Sequence, residues 1–253
     1  MSENIVISVI TICYNAHDFI AETIESVIQQ DYKNVEFIII DGASVDGTTD
    51  IVKHYADNIS IFISEPDHGI SDAFNKGIQA AHGDIICFLN AGDKFIDPTV
   101  LSTVSKDWKE KKPDILFYQM KIGNLGLTPP VKYKNQLPAI LNALEIPHQA
   151  CFCTKKLFEE IGGFNLCIKI RMDYDFFARC VGLDKRFQYI PKIITNYNDE
   201  GVSANIANRV TFAKEALYIR KLYRLPVTAK DYLRVLKWLV ITKVKKQTKH
   251  MSS

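Results

Sequence analysis

Three polar clusters in the first half of the chain each stand directly after an apolar run. Thr11-Ile12-Cys13-Tyr14-Asn15 closes the first run, Asp41-Gly42-Ala43-Ser44-Val45-Asp46-Gly47-Thr48 follows the second, and Asn90-Ala91-Gly92-Asp93 follows the fourth. Asp, Gly, Ser and Asn are turn and helix-cap residues, and Asp46-Gly47, immediately ahead of a helical pattern, is read that way. Asp41 and Asp93 fit turn chemistry less well, because both leave buried runs on one edge of a sheet. Two carboxylates so placed can hold a nucleotide base or ribose and a divalent cation. In the second half, Met172-Asp173-Tyr174-Asp175 offers two further acids. Residues two apart on a helix point to nearly opposite sides, so only one of them can face a given ligand. The competing reading is that both are first-turn acids favoured by the helix dipole. His148-Gln149, in a loop after Pro147, is either a packed histidine or an active-site one.

The elements that must position these residues follow two alternating periods. Ile5–Ile12, Val35–Ile40, Ile59–Ser64 and Asp84–Leu89 are short β-branched or aromatic runs, read as buried strands. Between them Phe19–Gln29, Thr48–Ala56 and Ile70–Ala81 read as helices; in the first, Ile20, Ile24, Val27 and Ile28 recur at helical spacing. Strand–helix–strand repetition of this kind builds parallel βαβ units and a doubly wound sheet, whose ligands bind beyond the carboxyl ends of the strands. Asp97-Pro98 is expected to open another helix, as N-cap and first helical residue. Asp114–Ile122 reads as a strand, Gly123–Pro138 as a loop, and Thr154–Ile161, Asp173–Val181, Ala207–Tyr223 and Thr228–Lys246 as helices. Gly162-Gly163-Phe164-Asn165 is a helix stop and turn.

Composition narrows the class. The 253 residues are 47% hydrophobic and 24% charged, which excludes disorder and low complexity. A chain of this length buries roughly 70–75% of the surface its unfolded form exposes, so it needs no disulfide or metal staple. The six cysteines (Cys13, Cys87, Cys151, Cys153, Cys167, Cys180) contain no C-x-x-C and are read as buried thiols of a reducing compartment. The start, Met1-Ser2-Glu3-Asn4, has no basic region, and Ile5 to Ile12 is too short for a signal peptide. With no run of 18 apolar residues, a cytoplasmic location is expected. Neither G-x-G-x-x-G after the first strand nor G-x-x-x-x-G-K-[ST] is present, which argues against a nicotinamide dehydrogenase and a P-loop enzyme.

The pieces VITICYN, IIIDGASVDGT, ISEPDHGISDAFNKGIQAAHGDIICFLNAGD, HQACF, GGFN and MDYDFFAR stand in consistent order over about residues 5–182. Together they resemble the family 2 glycosyltransferases, inverting nucleotide-sugar enzymes of the GT-A fold. The block EPDHGISDAFNKGI is most similar to bacterial members that build surface polysaccharides such as O-antigen, capsule or colanic acid. The resemblance implies a single α/β GT-A domain over residues 1–225, with a Rossmann-like, mostly parallel sheet. Residues 1–95 would be its nucleotide-sugar half and 96–225 its acceptor half. It assigns Thr11, Tyr14 and Asp41 to the nucleotide, usually UDP, and lines the same cleft with Asp67, Asp72 and Lys76. Relatives end the fourth strand with a D-x-D metal motif, of which only the last acid, Asp93, stands here. Asp93, with His148 completing the shell, would hold Mn2+ or Mg2+ on the leaving diphosphate, and Asn90 would contact ribose or the donor sugar. Asp173 matches the catalytic base, the carboxylate that takes the proton of the attacking hydroxyl. The alternative is a catalytically silent nucleotide-binding or scaffolding relative, for which the missing first acid is the best argument.

The charge is unevenly spread. From Lys230 onward seven basic residues face one acid, Asp231, giving +6 and leaving −4 for the preceding 229 residues against a net +2. A mildly acidic body argues against a nucleic-acid partner. Over Asp231–Lys246, Tyr232, Leu233, Val235, Leu236, Leu239 and Val240 form one broad apolar face with Trp238 at its margin, and Lys230, Arg234 and Lys237 run along the other. Residues 226–253 are therefore read as a basic amphipathic helix and tail. The helix either packs on the core or docks on an anionic inner leaflet, and docking would suit a polyprenyl-diphosphate-linked acceptor.

Overall fold

The computed structural model describes residues 5–123, 146–198 and 208–250, with side chains to residue 242. The four β-branched runs of the first half form strands β1 (Ile7–Cys13), β2 (Val35–Asp41), β3 (Ile61–Ser64) and β4 (Ile85–Phe88). Helices α1 (Ile20–Ile28), α2 (Thr48–His54) and α3 (Ile70–Ala80) connect them. Then come β5 (Lys94–Phe95), α4 (Val100–Lys111), β6 (Ile115–Ile122), a 3-10 turn at His148–Ala150, β7 (Cys151–Thr154) and α5 (Lys155–Ile161). The chain continues through α6 (Met172–Gly182), β8 (Phe187–Tyr197), α7 (Arg209–Leu222) and α8 (Ala229–His250). The eight strands make one sheet in the order β3-β2-β1-β4-β7-β6-β8-β5. Six run the same way; β7 is antiparallel to β4 and β6, and β5 to β8. The sheet is thus the mostly parallel α/β architecture expected.

Both faces of the sheet are covered, which is why the strands read as unbroken apolar runs. Ile7 and Val9 of β1, Phe37 and Ile39 of β2, and Ile85 and Cys87 of β4 face one buried layer with α1 and α4. Ile10, Ile38, Ile40, Ile86 and Phe88 face the other, with α3, α5 and α6. The two sequence halves share this second core. Phe74 of α3 stacks on Phe88 at 4.3 Å, Phe158 of α5 stacks on Phe176 of α6 at 4.7 Å, and Phe164 lies 5.1 Å from Phe74 and 5.3 Å from Phe176. This aromatic wedge fixes α6 against the first half of the chain.

Three strands were not apparent from the sequence. β5 and β7 are two and four residues long, too short to show a period. β8 contains Pro191, which has no N–H to give a ladder, and its pairing with β6 shifts register between Phe117 and Met120. Asp97-Pro98 does not open its helix. The first helical residue is Val100, Thr99 is the N-cap, and the Asp97 carboxylate accepts from Thr99 N–H and Oγ1–H at 2.8 and 2.7 Å in the preceding turn. Five cysteines are buried as thiols, but Cys167 is exposed. The stretch from Gly123 to Pro138 lies, after Gly123, outside the described residues.

The two acids of α6 part company as helical geometry requires. Asp175 is fully buried and structural, accepting from Arg179 Nε at 3.2 Å and from Tyr223 Oη, just past α7, at 2.9 Å. Arg179 also donates to the carbonyls of Ile161 and Gly163. Asp175→Ala is expected to lower unfolding free energy by about 3–5 kcal/mol, because a cation and a hydroxyl lose their acceptor, and Tyr223→Phe by only about 1 kcal/mol. Urea unfolding of the two variants checks this; a surface-like loss of about 0.5 kcal/mol for Asp175→Ala would contradict it.

Candidate active site

The site begins with strand register. β1, β2 and β3 pair so that Cys13 lies beside Asp41 and Asp41 beside Ser64. Residues in register point to the same face, so the Asp41 carboxyl meets both neighbours. Its oxygens accept from Ser64 Oγ at 2.7 Å, Ser44 N–H at 3.0 Å, the Ser44 hydroxyl, and Cys13 Sγ at 3.5 Å. Burial and the facing carboxylate push the Cys13 thiol far up, so it stays a neutral donor. Ser44 Oγ in turn accepts from Asn15 N–H at 2.8 Å, and Asn15 Oδ1 from Val45 N–H at 3.0 Å. One turn on, Asp46 accepts from Thr48 and from His17 N–H, and Thr48 Oγ1 from Ala16 N–H at 2.8 Å. The Thr48 hydroxyl, then the N–H groups, hold the Asp46 carboxyl down at about 2. Asp46-Gly47 is therefore the helix-entry turn its sequence suggests. The loops after β1 and β2 are laced into one rim.

Behind that rim, at the carboxyl edge of the parallel strands, lies a cavity of about 460 Å³. Tyr14, 65% exposed, and Asp67 line one end; Asn90, Asp93, His148 and Asn198 line the other. The turn carrying Asn90 to Asp93 is pinned by Thr23 of α1, whose hydroxyl accepts from Gly92 N–H at 2.9 Å and donates to Asp93 O at 2.8 Å. Gly92 has φ +96°, and a Cβ there would come within 2.6 Å of the Asn198 amide. The turn therefore requires glycine in the middle of the Ala91-Gly92-Asp93 motif.

His148 reaches this edge because β7 is antiparallel: the start of β7, not its end, adjoins the end of β4. The imidazole spans the two halves. Its Nε2 faces Asn90 Nδ2 at 3.2 Å, and its Nδ1 faces Asp173 Oδ2, in the first turn of α6, at 3.3 Å. With the carboxylate ionised, these partners select the tautomer protonated on Nδ1. Burial pushes the Asp173 carboxyl up, but the His148 hydrogen bond and charge, Arg171 and the Tyr174 N–H outweigh it. Asp173 is held below the usual carboxylate range with its side chain 22% exposed. It adjoins the cavity through His148 and Met172. Asp93 is the opposite case. Burial pushes its carboxyl up to about 7, against the pull of Asn198 N–H, His148 and Gln149.

Asp93 brings a carboxylate oxygen to the cavity wall, a donor of the kind hard divalent cations take, so the residues present fit a cation held by one carboxylate. Among the described residues no three His, Cys, Asp or Glu side chains converge on one point. Any cation there would take its remaining ligands from diphosphate oxygens and water. His148, expected in that shell, has both ring nitrogens engaged and would first have to release Asn90.

Of the expected nucleotide residues, Tyr14, Asp67 and Asn90 line the cavity, while Thr11, Asp41, Asp72 and Lys76 do not. Thr11 is buried and donates to Leu89 O at 2.7 Å, tying β1 to the end of β4. Asp41 sits behind the rim it holds. Asp72 accepts from His68 N–H at 3.0 Å, and Lys76 pairs with Glu65 and Pro66 O at 2.8 Å, so both brace the loop that carries Asp67. Tyr197 and Asn198 went unassigned with β8; the β-rich run FQYIPKIITNY was the signal, masked by its proline.

Residues 8–173 match the domain described as Glycosyl transferase family 2. A PGL/p-HBAD biosynthesis glycosyltransferase of Mycobacterium bovis is 28% identical over 254 residues, covering 97% of this chain and 92% of that protein. The putative teichuronic acid biosynthesis glycosyltransferase TuaG of Bacillus subtilis is 39% identical over 92 residues, 35% of this chain and 36% of that one. Among solved structures, S. aureus TarS 1–349 in complex with UDP superposes with a TM-score of 0.70 at 20% identity, covering 92% of this chain and 70% of that one. The mannosyltransferase PcManGT from Pyrobaculum calidifontis, in complex with GDP-Man and Mn2+, gives 0.71 at 19%, covering 94% and 69%. At such identities the structures speak for the fold, which is that of GT-A glycosyltransferases. By its matched domain, this chain belongs to glycosyltransferase family 2.

Proposed function

We propose that this protein is an inverting hexosyltransferase that moves a sugar from a UDP-sugar to a hydroxyl of a lipid-linked glycan, in the building of a bacterial surface polysaccharide. The observation that carries the reading is the Asn90–His148–Asp173 chain, which joins the end of β4 to an acid kept ionised at the start of α6. In this reading the Tyr14 ring and the Asp67 carboxylate take the base, Asn90 meets the ribose or donor sugar, and Asp93 faces the diphosphate. A divalent cation held by Asp93 would neutralise charge on the leaving nucleotide diphosphate. Asp173 accepts the proton of the acceptor hydroxyl as that oxygen attacks the anomeric carbon in line, and His148 holds the carboxylate aimed. No covalent enzyme intermediate is needed. UDP is favoured by the UDP bound to TarS, the cation by the Mn2+ bound to PcManGT, and the surface glycan by the similarity to the putative teichuronic acid biosynthesis glycosyltransferase TuaG.

Saturating UDP with Mn2+ is expected to raise the unfolding midpoint by about 5–10 °C at a hundred times its Kd. Tyr14→Ala and Asp67→Asn should each weaken that binding roughly tenfold, as loss of a stacked ring or a charged hydrogen bond would. Calorimetric titration measures both. A chain whose midpoint no nucleotide moves would sink the reading and leave the silent scaffold.

The base makes a signed claim about pH. A depressed carboxyl is ionised above its folded pKa and fails as pH falls through it, so kcat/KM should have an acid limb below the ordinary carboxylate range. His148→Ala removes the leading groups that lower it, and should move the limb to higher pH. An unmoved limb would mean that His148 does not hold the base.

A further inference from the structure

A second concavity among the described residues lies outside the candidate active site. A groove of about 830 Å³ runs between α7 and α8, lined by Arg209 and Phe212 of α7 and by Leu233, Arg234, Leu236 and Lys237 among others of α8. The apolar and basic residues of α8 keep to separate arcs of the helix, but part of the apolar arc is open to the same groove as the cations. Leu233, Leu236 and Val240 are 61%, 56% and 60% exposed, and they line the groove together with exposed Lys230, Arg234 and Lys237. Among the described residues of the helix, Asp231, Val235, Trp238, Leu239, Ile241 and Thr242 are half-buried. Packing on α7 thus uses only part of the apolar surface, and the remainder projects among cations.

We propose that this α7–α8 groove docks the protein on an anionic lipid bilayer. Three features select that occupant. Among the described residues no acid lines the groove, and the helix sequence continues with Lys243, Lys245, Lys246 and Lys249. A second copy of the same face would bring cation against cation. A nucleic acid would match the charge but leave Leu233, Leu236 and Val240 in water, whereas a bilayer interface takes apolar side chains between its headgroups and Lys/Arg at their phosphates. Trp238, with Arg209 5.8 Å and Lys237 5.6 Å from its ring, has the amphipathic character enriched at that depth. Among the described residues no helix is long and apolar enough to cross a membrane, so the contact is interfacial.

The groove is also joined to the catalytic helix. Phe212 lies under the Arg171 guanidinium at 4.3 Å, and Arg171 immediately precedes α6. Glu215, one turn along α7, accepts the N–H groups of Lys169, Ile170 and Arg171 at 2.8–3.0 Å. Docking therefore holds the start of α6, with Asp173, in a fixed relation to the membrane. The proposal goes beyond the transfer reading, and its test needs no turnover.

Flotation of the full chain with phosphatidylcholine vesicles, with or without phosphatidylglycerol, measures docking directly. Binding is expected to the anionic vesicles alone. Arg234→Glu with Lys237→Glu should weaken it roughly tenfold or more. So should Leu233→Asn with Leu236→Asn and Val240→Asn, which leave every charge in place. All five positions are exposed, so unchanged unfolding midpoints are the control for folding. Failure to float with anionic vesicles, or binding that survives both variants, would overturn the proposal. Loss in the charge variant alone, with poly(U) competing, would also overturn it in favour of a nucleic acid.

Discussion

A carboxyl group shut away from water must find donors for both oxygens, and the register of three parallel strands supplies them to Asp41. Cys13 and Ser64 arrive from the two neighbouring strands, and Ser44 from the turn that Asp41 itself begins. Because Ser44 also bonds the Asn15 backbone, the first and second loops form one rim. A slip of one residue in either pairing would turn Cys13 or Ser64 to the opposite face and take that donor from Asp41. The acid thereby ties together the loops that carry Asn15 and Ser44, beside Tyr14.

The second constraint is directional. Parallel strands deliver only their ends to the ligand edge, so the acceptor half needs a strand running the other way to bring its beginning there. β7 does this, and His148 just before it meets Asn90 from β4 and Asp173 from α6. Below them the Phe74–Phe164–Phe176 cluster locks the two halves without polar groups. Asp93 and Asp173 then sit in unlike surroundings. One is raised by burial; the other, equally withdrawn from water, is kept ionised by the histidine, the arginine and the backbone N–H that face it.

The first half was legible because each strand is buried on both faces and each helix carries a one-sided apolar pattern. The acceptor half was less so. β8 hides behind Pro191, β5 and β7 are too short to have a period, and the Tyr197-Asn198 wall went with them. The roles of acids were legible in part. Spacing alone said that Asp173 and Asp175 must diverge, but the Tyr223 hydroxyl that claims Asp175 lies 48 residues away. Resemblance assigned Thr11, Asp41, Asp72 and Lys76 to the ligand; none of the four lines the cavity, and each is hydrogen-bonded within the protein. Which part of α8 is covered was left open by the sequence for another physical reason. Amphipathic periodicity marks which residues share a side, and only packing decides which side is covered.

The most direct test of the account is to separate binding from chemistry at Asp173. With a donor found by screening UDP-sugars, Asp173→Asn keeps the shape of the side chain and removes its basicity. Calorimetry should give an unchanged UDP affinity, while turnover falls by about a hundredfold to ten-thousandfold, the range a positioned general base contributes. Turnover close to that of the unmodified protein, at unchanged KM, would contradict the assignment of Asp173 as base and the mechanism built on it.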